Sequence, residues 1–290
     1  MKADEAFIFF ALIMRMETWF LSFFSYLCTM ISNNQIRFYS HYKDTKLCAT
    51  EQVFVAEGAK LADEVLKEGI SLRAVIATSE WLGGNGHRIG NGVDVMEASG
   101  AALERVSSMR TPNGVWMLAE RPTAEQTLRR HPQPDDNPLA AIVTDRIQDP
   151  GNMGTILRLA DWYGVRQVVC SPDSVGCFTP KVVQASMGSV LRVATMQAAL
   201  AEYLGQCRRQ GLAVYGATLG GDNVYRHQLK RPAVLLIGNE SQGICNELLG
   251  LLDHAISIPN RGGTCESLNA AVATAILCSE FFRSSDPQND

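Results

Sequence analysis

Residues 139–160, LAAIVTDRIQDPGNMGTILRLA, form the stretch of the chain that indicates its fold most clearly. The stretch opens with an apolar run that is typical of a buried strand and continues into a polar loop. Pro150 and Gly151 predict a turn, after which Asn152 is well suited to cap a helix. Apolar residues, with Arg158 among them, then continue to the end of the stretch. The pattern predicts a strand, a loop and a helix in succession.

Three residues of this stretch also have ordinary structural interpretations. Asn152 can be a plain helix cap, and Arg158 can belong to a structural ion pair. Gly154 lies between them and lets another backbone approach closely. Taken alone, the stretch leaves the structural and the functional interpretation open.

A second strand with a polar ending occurs at residues 234–243, VLLIGNESQG. Its apolar part predicts a buried strand, and a helix is expected to start near Ile244. In open α/β sheets, ligands bind at the carboxyl ends of the strands, so Gly238 and Glu240 are candidate site residues. Alternatively, Glu240 is a first-turn carboxylate that interacts favourably with the helix dipole.

The third pattern covers residues 255–269, AISIPNRGGTCESLN, and a helix rich in small residues that follows it. A strand is expected to stop at Pro259, and the helix to begin around Ser267. Ser267 and Asn269 would then lie at the helix N-terminus, where free backbone N–H groups point outward. The small residues of the helix suggest close helix packing, for example on a second subunit.

The first half of the chain alternates strand and helix signals, which predicts a smaller α/β domain. The predicted strands lie at residues 53–56, 72–78, 93–97 and 114–119, and a Gly/Asn-rich loop is predicted at 83–92. Four prolines at residues 121–138 indicate a linker with little room for a regular element. We interpret the chain as a hydrophobic, non-native or disordered extension (1–29), a substrate-binding domain (30–120), the linker (121–138) and a second α/β domain (139–285).

Composition narrows the classes of function. The chain has 290 residues, a formal net charge of −4 and a pI of about 5.8, so any contact with nucleic acid should be a local patch. No Cys/His cluster has zinc spacing, which predicts no metal site and idle thiols in a reducing cytosol. Neither common nucleotide-binding glycine motif is present, so a cofactor would be held in another way.

Together and in this order, the three patterns resemble the motifs of the SpoU (TrmH-like) RNA 2′-O-methyltransferases. The similar segments are N-x-G-x-x-x-R-x-A at 152–160, I-G-N-E at 237–240, and I-P…S-L-N at 258–269. Residues 179–189 are also similar to the stretch between the family's first two motifs. The V-A-E-G segment at 55–58 is a weaker match to the family's N-terminal domain.

The resemblance implies a C-terminal trefoil-knotted α/β methyltransferase domain of the SPOUT class with a smaller N-terminal α/β substrate-binding domain. It implies S-adenosylmethionine as the cofactor, RNA as the substrate and a homodimer. From the cysteines and the short apolar runs we also expect a cytoplasmic location and no stable membrane association, with a membrane or secretory role of residues 1–29 as the alternative. By motif, Gly238, Ile258 and Leu268 would hold the cofactor. The residues that would line the reaction site are Asn152, Arg158, Glu240, Ser267 and Asn269.

Arginine keeps its proton in proteins, so we interpret Arg158 not as the base but as a phosphate clamp that orients the ribose, either at its own subunit's site or at the partner subunit's site. Glu240 is expected to orient Arg158 or a loop. The alternatives are a tRNA substrate in place of 23S ribosomal RNA, or a non-catalytic RNA-binding assembly factor. For the first domain we expect RNA recognition by basic residues, for which the candidates are Arg37, His41, Lys43, Lys46, Arg105 and Arg110.

Overall fold

The computed structural model describes residues 29–283, which divide into two compact units between Glu120 and Arg121. The hydrophobic extension predicted at residues 1–29 lies outside the described residues except for Thr29. Among the described residues, no helix has both the length and the hydrophobicity of a membrane span.

The first unit is a small α/β unit with one five-stranded sheet. Its described elements are β1 (Thr29–Met30), α1 (Asn33–Ser40), α2 (Thr45–Thr50), β2 (Val53–Glu57), α3 (Ala59–Lys67), β3 (Leu72–Ala77), α4 (Ser79–Asn85), β4 (Asp94–Glu97), α5 (Gly100–Val106) and β5 (Val115–Glu120). The strand order is β1-β4-β3-β5-β2; β1, β4 and β3 are parallel, while β5 is antiparallel to both of its neighbours.

Part of the loop predicted at residues 83–92 is helical, because α4 runs to Asn85 and a 3-10 turn covers Gly86–Arg88. The Thr78 hydroxyl accepts a hydrogen bond from the backbone N–H of Trp81 at 3.3 Å and so caps the helix. The Trp81 side chain is buried. The cap and this burial offset the poor helix propensity of the glycines.

The second unit contains a six-stranded sheet. Its described elements are α6 (Ala124–Arg130), β6 (Leu139–Thr144), α7 (Pro150–Trp162), β7 (Gln167–Cys170), α8 (Pro180–Ser186), β8 (Ala194–Gln197), α9 (Leu200–Arg209), β9 (Ala213–Asn223), β10 (Ala233–Ile237), α10 (Asn246–Leu249), β11 (His254–Ser257) and α11 (Ala270–Arg283). Every neighbouring pair of strands is parallel, in the order β11-β9-β10-β6-β7-β8, which confirms the predicted α/β class.

The sequence interpretation of residues 121–138 as a linker without a regular element is wrong, because α6 lies inside it and the segment belongs to the second unit. The prolines flank the helix instead of interrupting it. Thr123 and Gln126 form a capping box at its start: the Thr123 hydroxyl accepts from the Gln126 N–H at 3.1 Å, and the Gln126 side chain accepts from the Thr123 N–H at 2.9 Å. Thr127 is buried and ties the helix to the unit.

The strand order reverses between β6 and β10, and this reversal positions the candidate site. From β6 the sheet continues through β7 to β8, whereas β9, β10 and β11 lie on the other side. In open α/β sheets such a switch point leaves a crevice at the carboxyl ends of the strands, where ligands bind. The trefoil knot implied by the resemblance stays a prediction.

Candidate functional site

The loops of the first and second sequence motifs begin side by side at the edge of the sheet. Thr144 at the end of β6 pairs with Ile237 at the end of β10, and the N–H of Asp145 donates to the Ile237 carbonyl at 2.8 Å. The loops that follow both strands therefore start at the switch point.

Gly238 directly follows β10, and its lack of a side chain is a geometric requirement. A Cβ at this position would lie 2.3 Å from the backbone carbon of Gly243 and 2.3 Å from the backbone nitrogen of Ile244. No real side chain is tolerated at such distances unless the backbone moves. The loop 239–243 thus folds back tightly onto the end of the strand.

Asn152 is not the cap of α7, which corrects the sequence expectation. The helix begins at Pro150, and its cap is Asp149, whose carboxylate accepts from the Asn152 backbone N–H at 2.8 Å. Proline is favourable at the first helical position because its missing N–H would have no partner there. The Asn152 side chain is consequently free for other contacts, and it is buried.

One chain of side-chain hydrogen bonds joins the three motifs. The Asn152 amide nitrogen donates to Glu240 Oε1 at 2.7 Å, and the Asn269 amide nitrogen donates to Asn152 Oδ1 at 2.8 Å. Asn269 Oδ1 in turn accepts from the N–H groups of Ala271 and Val272 at 2.9 and 3.2 Å, so Asn269 caps α11. Because an ionised carboxylate only accepts, Glu240 fixes the orientation of both amides.

Glu240 does not have the structural role considered for it in the sequence. It lies in the turn closed by backbone hydrogen bonds between Asn239 and Gly243, whereas the next helix, α10, begins only at Asn246. A favourable interaction with that helix dipole is therefore excluded as its reason for being there. Within one copy of the described chain, Glu240 forms its hydrogen bonds with Asn152 and Asn239 and none with Arg158. The expectation that Glu240 orients Arg158 or a loop stays a prediction.

Two residues that the sequence interpretation did not single out, Asp145 and Arg146, hold the second loop in place. The guanidinium of Arg146 makes paired contacts with the Asp145 carboxylate at 3.1 and 3.2 Å and donates to Gln242 Oε1 at 2.6 Å. The Asp145 carboxylate raises the pKa of Arg146 and also accepts from the Cys245 N–H at 2.8 Å. Their position directly after the predicted strand was the sequence signal that could have identified them as site residues.

Asn239, also not singled out, shapes the loop from inside. Its side-chain oxygen accepts from the N–H groups of Ser241 and Gln242 at 3.0 and 3.1 Å, and its amide nitrogen donates to the Arg146 carbonyl at 2.8 Å. The same amide lies 3.4 Å from Glu240 Oε2. Both carboxylate oxygens of Glu240 therefore face amide donors.

The third motif forms an ordered, exposed loop. Asn260 Oδ1 accepts from the N–H groups of Gly262 and Gly263 at 2.9 and 2.8 Å. Helix α11 begins at Ala270 and not around Ser267, so Ser267 and Leu268 lie on the loop, and both are exposed. Ile258, half-buried, directly follows β11.

Arg158 is exposed and points away from the hydrogen-bond chain, because six residues along a helix rotate the side chain to another face. It lines a shallow cavity of about 370 Å³ with Asp161, Trp162, Met187 and Ser189. Asp161 is occupied by Arg166 and Arg192, each at 2.9 Å. Within the described residues Arg158 has no ion-pair partner, so the structural interpretation of this arginine is not supported.

The remaining sequence expectations concern metals and thiols. Among residues 29–283, no group of three or more His, Cys, Asp or Glu side chains is arranged to hold a metal ion. The Cys278 thiol is buried, and burial raises its pKa to about 12. Cys265 is exposed in the third motif, where its thiol lies 3.0 Å from the Ser267 carbonyl oxygen.

Comparison with known proteins gives matches to both units. Residues 140–279 match the SpoU rRNA Methylase family, and residues 33–117 match the MRM3-like substrate binding domain. The 23S rRNA (guanosine(2553)-2′-O)-methyltransferase RlmP of Bacillus subtilis (strain 168) is 26% identical over 250 residues, which cover 84% of this chain and 94% of that protein.

Two solved structures are similar over nearly their whole length. A putative RNA methyltransferase of the TrmH family from Porphyromonas gingivalis is 36% identical with a TM-score of 0.75, covering 88% of this chain and 100% of the other. An AdoMet-bound rRNA methyltransferase from Sinorhizobium meliloti is 27% identical with a TM-score of 0.75, covering 88% of this chain and 97% of the other.

Proposed function

Because the chain belongs to the SpoU rRNA methylase family, we propose that it transfers a methyl group from S-adenosylmethionine to a ribose 2′-hydroxyl of RNA. The observation that carries the proposal is the hydrogen-bond chain Glu240–Asn152–Asn269, which joins the family's three motifs at the switch point of the sheet. The substrate we favour is ribosomal RNA, since two proteins that this chain matches over 94% and 97% of their length are named as rRNA methyltransferases.

Gly238, Ile258 and Leu268 are the residues that we propose to hold the cofactor, largely through backbone groups. The tight backbone approach at Gly238 supports this role, because it holds the loop 239–243 at the carboxyl end of β10, where ligands bind in open α/β sheets. Gly238 and Ile258 directly follow parallel strands, whose carboxyl ends lie at one edge of the sheet. S-adenosylmethionine supplies the electrophilic methyl group when bound.

Asn152, Ser267 and Asn269 position the ribose in this proposal. A rigid amide pair beside the crevice lowers the barrier by orienting the hydroxyl, and positioning of this kind is worth several kcal/mol. Glu240 acts through the amides and not as the base, since amide donors face both of its oxygens.

Arg158 binds an RNA phosphate in this mechanism, and it does so at the site of a second copy of the chain. Two observations support this arrangement: Arg158 points away from its own Asn152, and it lies beside two exposed apolar side chains. Trp162, four residues further along α7, is 84% exposed, and Met187 beside it is 54% exposed. Exposed apolar patches of this kind are typical of protein interfaces.

The proposed activity is tested by incubating the purified protein with methyl-labelled S-adenosylmethionine and either ribosomal RNA or tRNA from a strain that lacks the gene. We expect label in 23S ribosomal RNA at a ribose 2′-oxygen, mapped by resistance of the adjacent phosphodiester to alkali. Label only in tRNA would overturn the ribosomal assignment. Binding of RNA without any transfer would favour the non-catalytic assembly factor.

The shared site is tested by complementation between two inactive variants. Arg158→Ala and Asn152→Ala should each reduce turnover by about 100-fold or more, while calorimetry shows little change in cofactor affinity. Co-expressed in one cell, the two should recover about a quarter of the wild-type activity, because half of the dimers are mixed and each has one intact site. If Arg158 acts within its own subunit, no activity returns.

A further inference from the structure

The first unit brings together basic side chains from two separate parts of the sequence. The Lys43 ammonium donates to the Arg105 backbone carbonyl at 2.9 Å, and the Arg105 guanidinium donates to Asn33 Oδ1 at 2.8 Å. Asn33 lies one helical turn before Arg37 on α1, and His41 lies one turn after it. We call the exposed side chains Arg37, His41, Lys43 and Arg105 the basic surface.

Among the described residues, no carboxylate forms an ion pair with a member of the basic surface. The partners of Lys43 and Arg105 are a carbonyl and an amide oxygen, which satisfy hydrogen bonds without cancelling charge. By contrast, Arg73 and Arg88 of the same unit pair with carboxylates at 3.0 and 2.8 Å. In a chain with a net charge of −4, this local excess of positive charge fits an anionic partner.

An exposed aromatic ring lies beside the basic surface. Phe38 follows Arg37 directly, lies one helical turn from His41, and is 56% exposed. Its ring makes edge contacts with Tyr39 and Tyr42, at centroid distances of 5.0 and 6.0 Å. Both tyrosines are buried.

The two tyrosines are held in place by their own contacts, so the Phe38 ring packs on side chains whose positions are fixed. The Tyr42 hydroxyl donates to Glu51 Oε2 at 2.9 Å, and the Tyr39 hydroxyl donates to Asp94 Oδ2 at 3.2 Å. Tyr39 also packs against Trp116 of the core with ring centroids 5.7 Å apart. A ring that is already held in place loses little conformational entropy when a ligand stacks on it.

We propose that Phe38 and the basic surface bind a single-stranded segment of the RNA substrate, with an unpaired base stacked on Phe38 and phosphates on Arg37, Lys43 and Arg105. An exposed aromatic face next to cations is the pattern by which proteins bind single-stranded nucleic acid. A duplex would use the cations only, because its bases are already stacked. This inference rests on the proposed function and identifies the form of RNA that the first unit takes.

The test measures the affinity of the full chain for a labelled oligoadenylate RNA of about 12 nucleotides, a length within the usual range of single-strand sites, and for its duplex with oligouridylate. Phe38→Ala should weaken binding of the single strand about tenfold and leave duplex binding unchanged, because one stacked base is lost. Phe38→Trp should restore the affinity. Thermal unfolding of each variant shows that the unit is folded.

Arg37→Ala should weaken the binding of both RNAs. The slope of log K against log salt concentration for the single strand should decrease in magnitude by about 0.7, the value for one phosphate contact. The matched control is Arg129→Ala, an exposed arginine of the second unit that pairs with Glu125 at 2.6 Å. This control should bind like the wild type.

Three outcomes overturn the inference: no binding of the single strand by the wild type, which would favour a protein partner for this surface; equal losses on both RNAs for Phe38→Ala; or a tryptophan variant as weak as the alanine variant. These outcomes are independent of methyl transfer. If the protein methylates RNA but shows any of these outcomes, the proposed function stands and this inference is wrong. A protein that transfers no methyl group but binds the single strand through Phe38 retains the inference alone.

Discussion

Gly238 is the residue at which the candidate site tolerates the least change. Gly238→Ala should abolish measurable cofactor binding and destabilise the second unit by about 1–3 kcal/mol, because the new Cβ would meet backbone atoms at 2.3 Å and the loop 239–243 would have to move. The measurements are calorimetric titration with S-adenosylmethionine and urea unfolding.

Gly220→Ala is the matched control for this substitution. Gly220 lies in β9 of the same sheet, and a Cβ there would have no neighbour within 4 Å. The control should bind the cofactor like the wild type. Normal cofactor affinity in Gly238→Ala would remove Gly238 from the proposed binding residues.

At the scale of elements, the packing of α7 on α8 depends on Gly154, as its sequence position suggested. A Cβ on Gly154 would lie 2.4 Å from Ala185 Cβ and 2.9 Å from the backbone of Ala185 and Ser186. Gly154→Ala should therefore force the helices apart and lower the free energy of unfolding by about 1–3 kcal/mol, measured in urea.

The same substitution in α9 should have the opposite sign. A Cβ on Gly205 would lie 3.6 Å from Arg209 Nη1, which is ordinary contact with a flexible side chain. Gly205→Ala should stabilise the protein by about 0.5–1 kcal/mol, because alanine loses less backbone entropy in a helix. Equal effects of the two substitutions would show that the α7–α8 contact is not tight.

At the scale of the whole molecule, an aromatic cluster in the second unit links stability to pH. His254 stacks on the fully buried Tyr215 at a centroid distance of 4.8 Å, and the His227 ring lies 5.0 Å from it. Burial, and then the positive charges of His227 and Lys230, lower the pKa of His254. The folded protein thus favours the neutral ring.

The sign of the pH effect follows from this lowered pKa. The unfolded chain, in which a histidine has a pKa of about 6.5, takes up a proton before the folded protein does, so stability is lost as the pH falls below that value. The melting temperature should therefore fall between about pH 7 and pH 5.5, and His254→Phe should reduce this fall. His41→Asn, at an exposed site in the first unit, should leave this decrease in melting temperature unchanged. If His254→Phe shows the same decrease as the wild type, His254 is not its cause.

The sequence by itself determined the class of the fold and the residues that meet at the crevice. Apolar runs that end in polar loops specify buried parallel strands, and Gly238, Glu240 and Asn152 all follow from those endings. Local patterns suffice here because the burial of a strand and the position of its end both depend on residues that are adjacent in the sequence.

Only the tertiary structure decided how these residues are used. Asp149 replaces Asn152 as the cap, Glu240 contacts two amides and not Arg158, and Arg146 joins loops that are 93 or more residues apart in the chain. The helix at Ala124–Arg130 and the meeting of Arg105 with Lys43 were likewise not visible in local patterns. Such contacts depend on the strand order of each sheet, which brings distant residues together, and hydropathy along the chain does not encode that order.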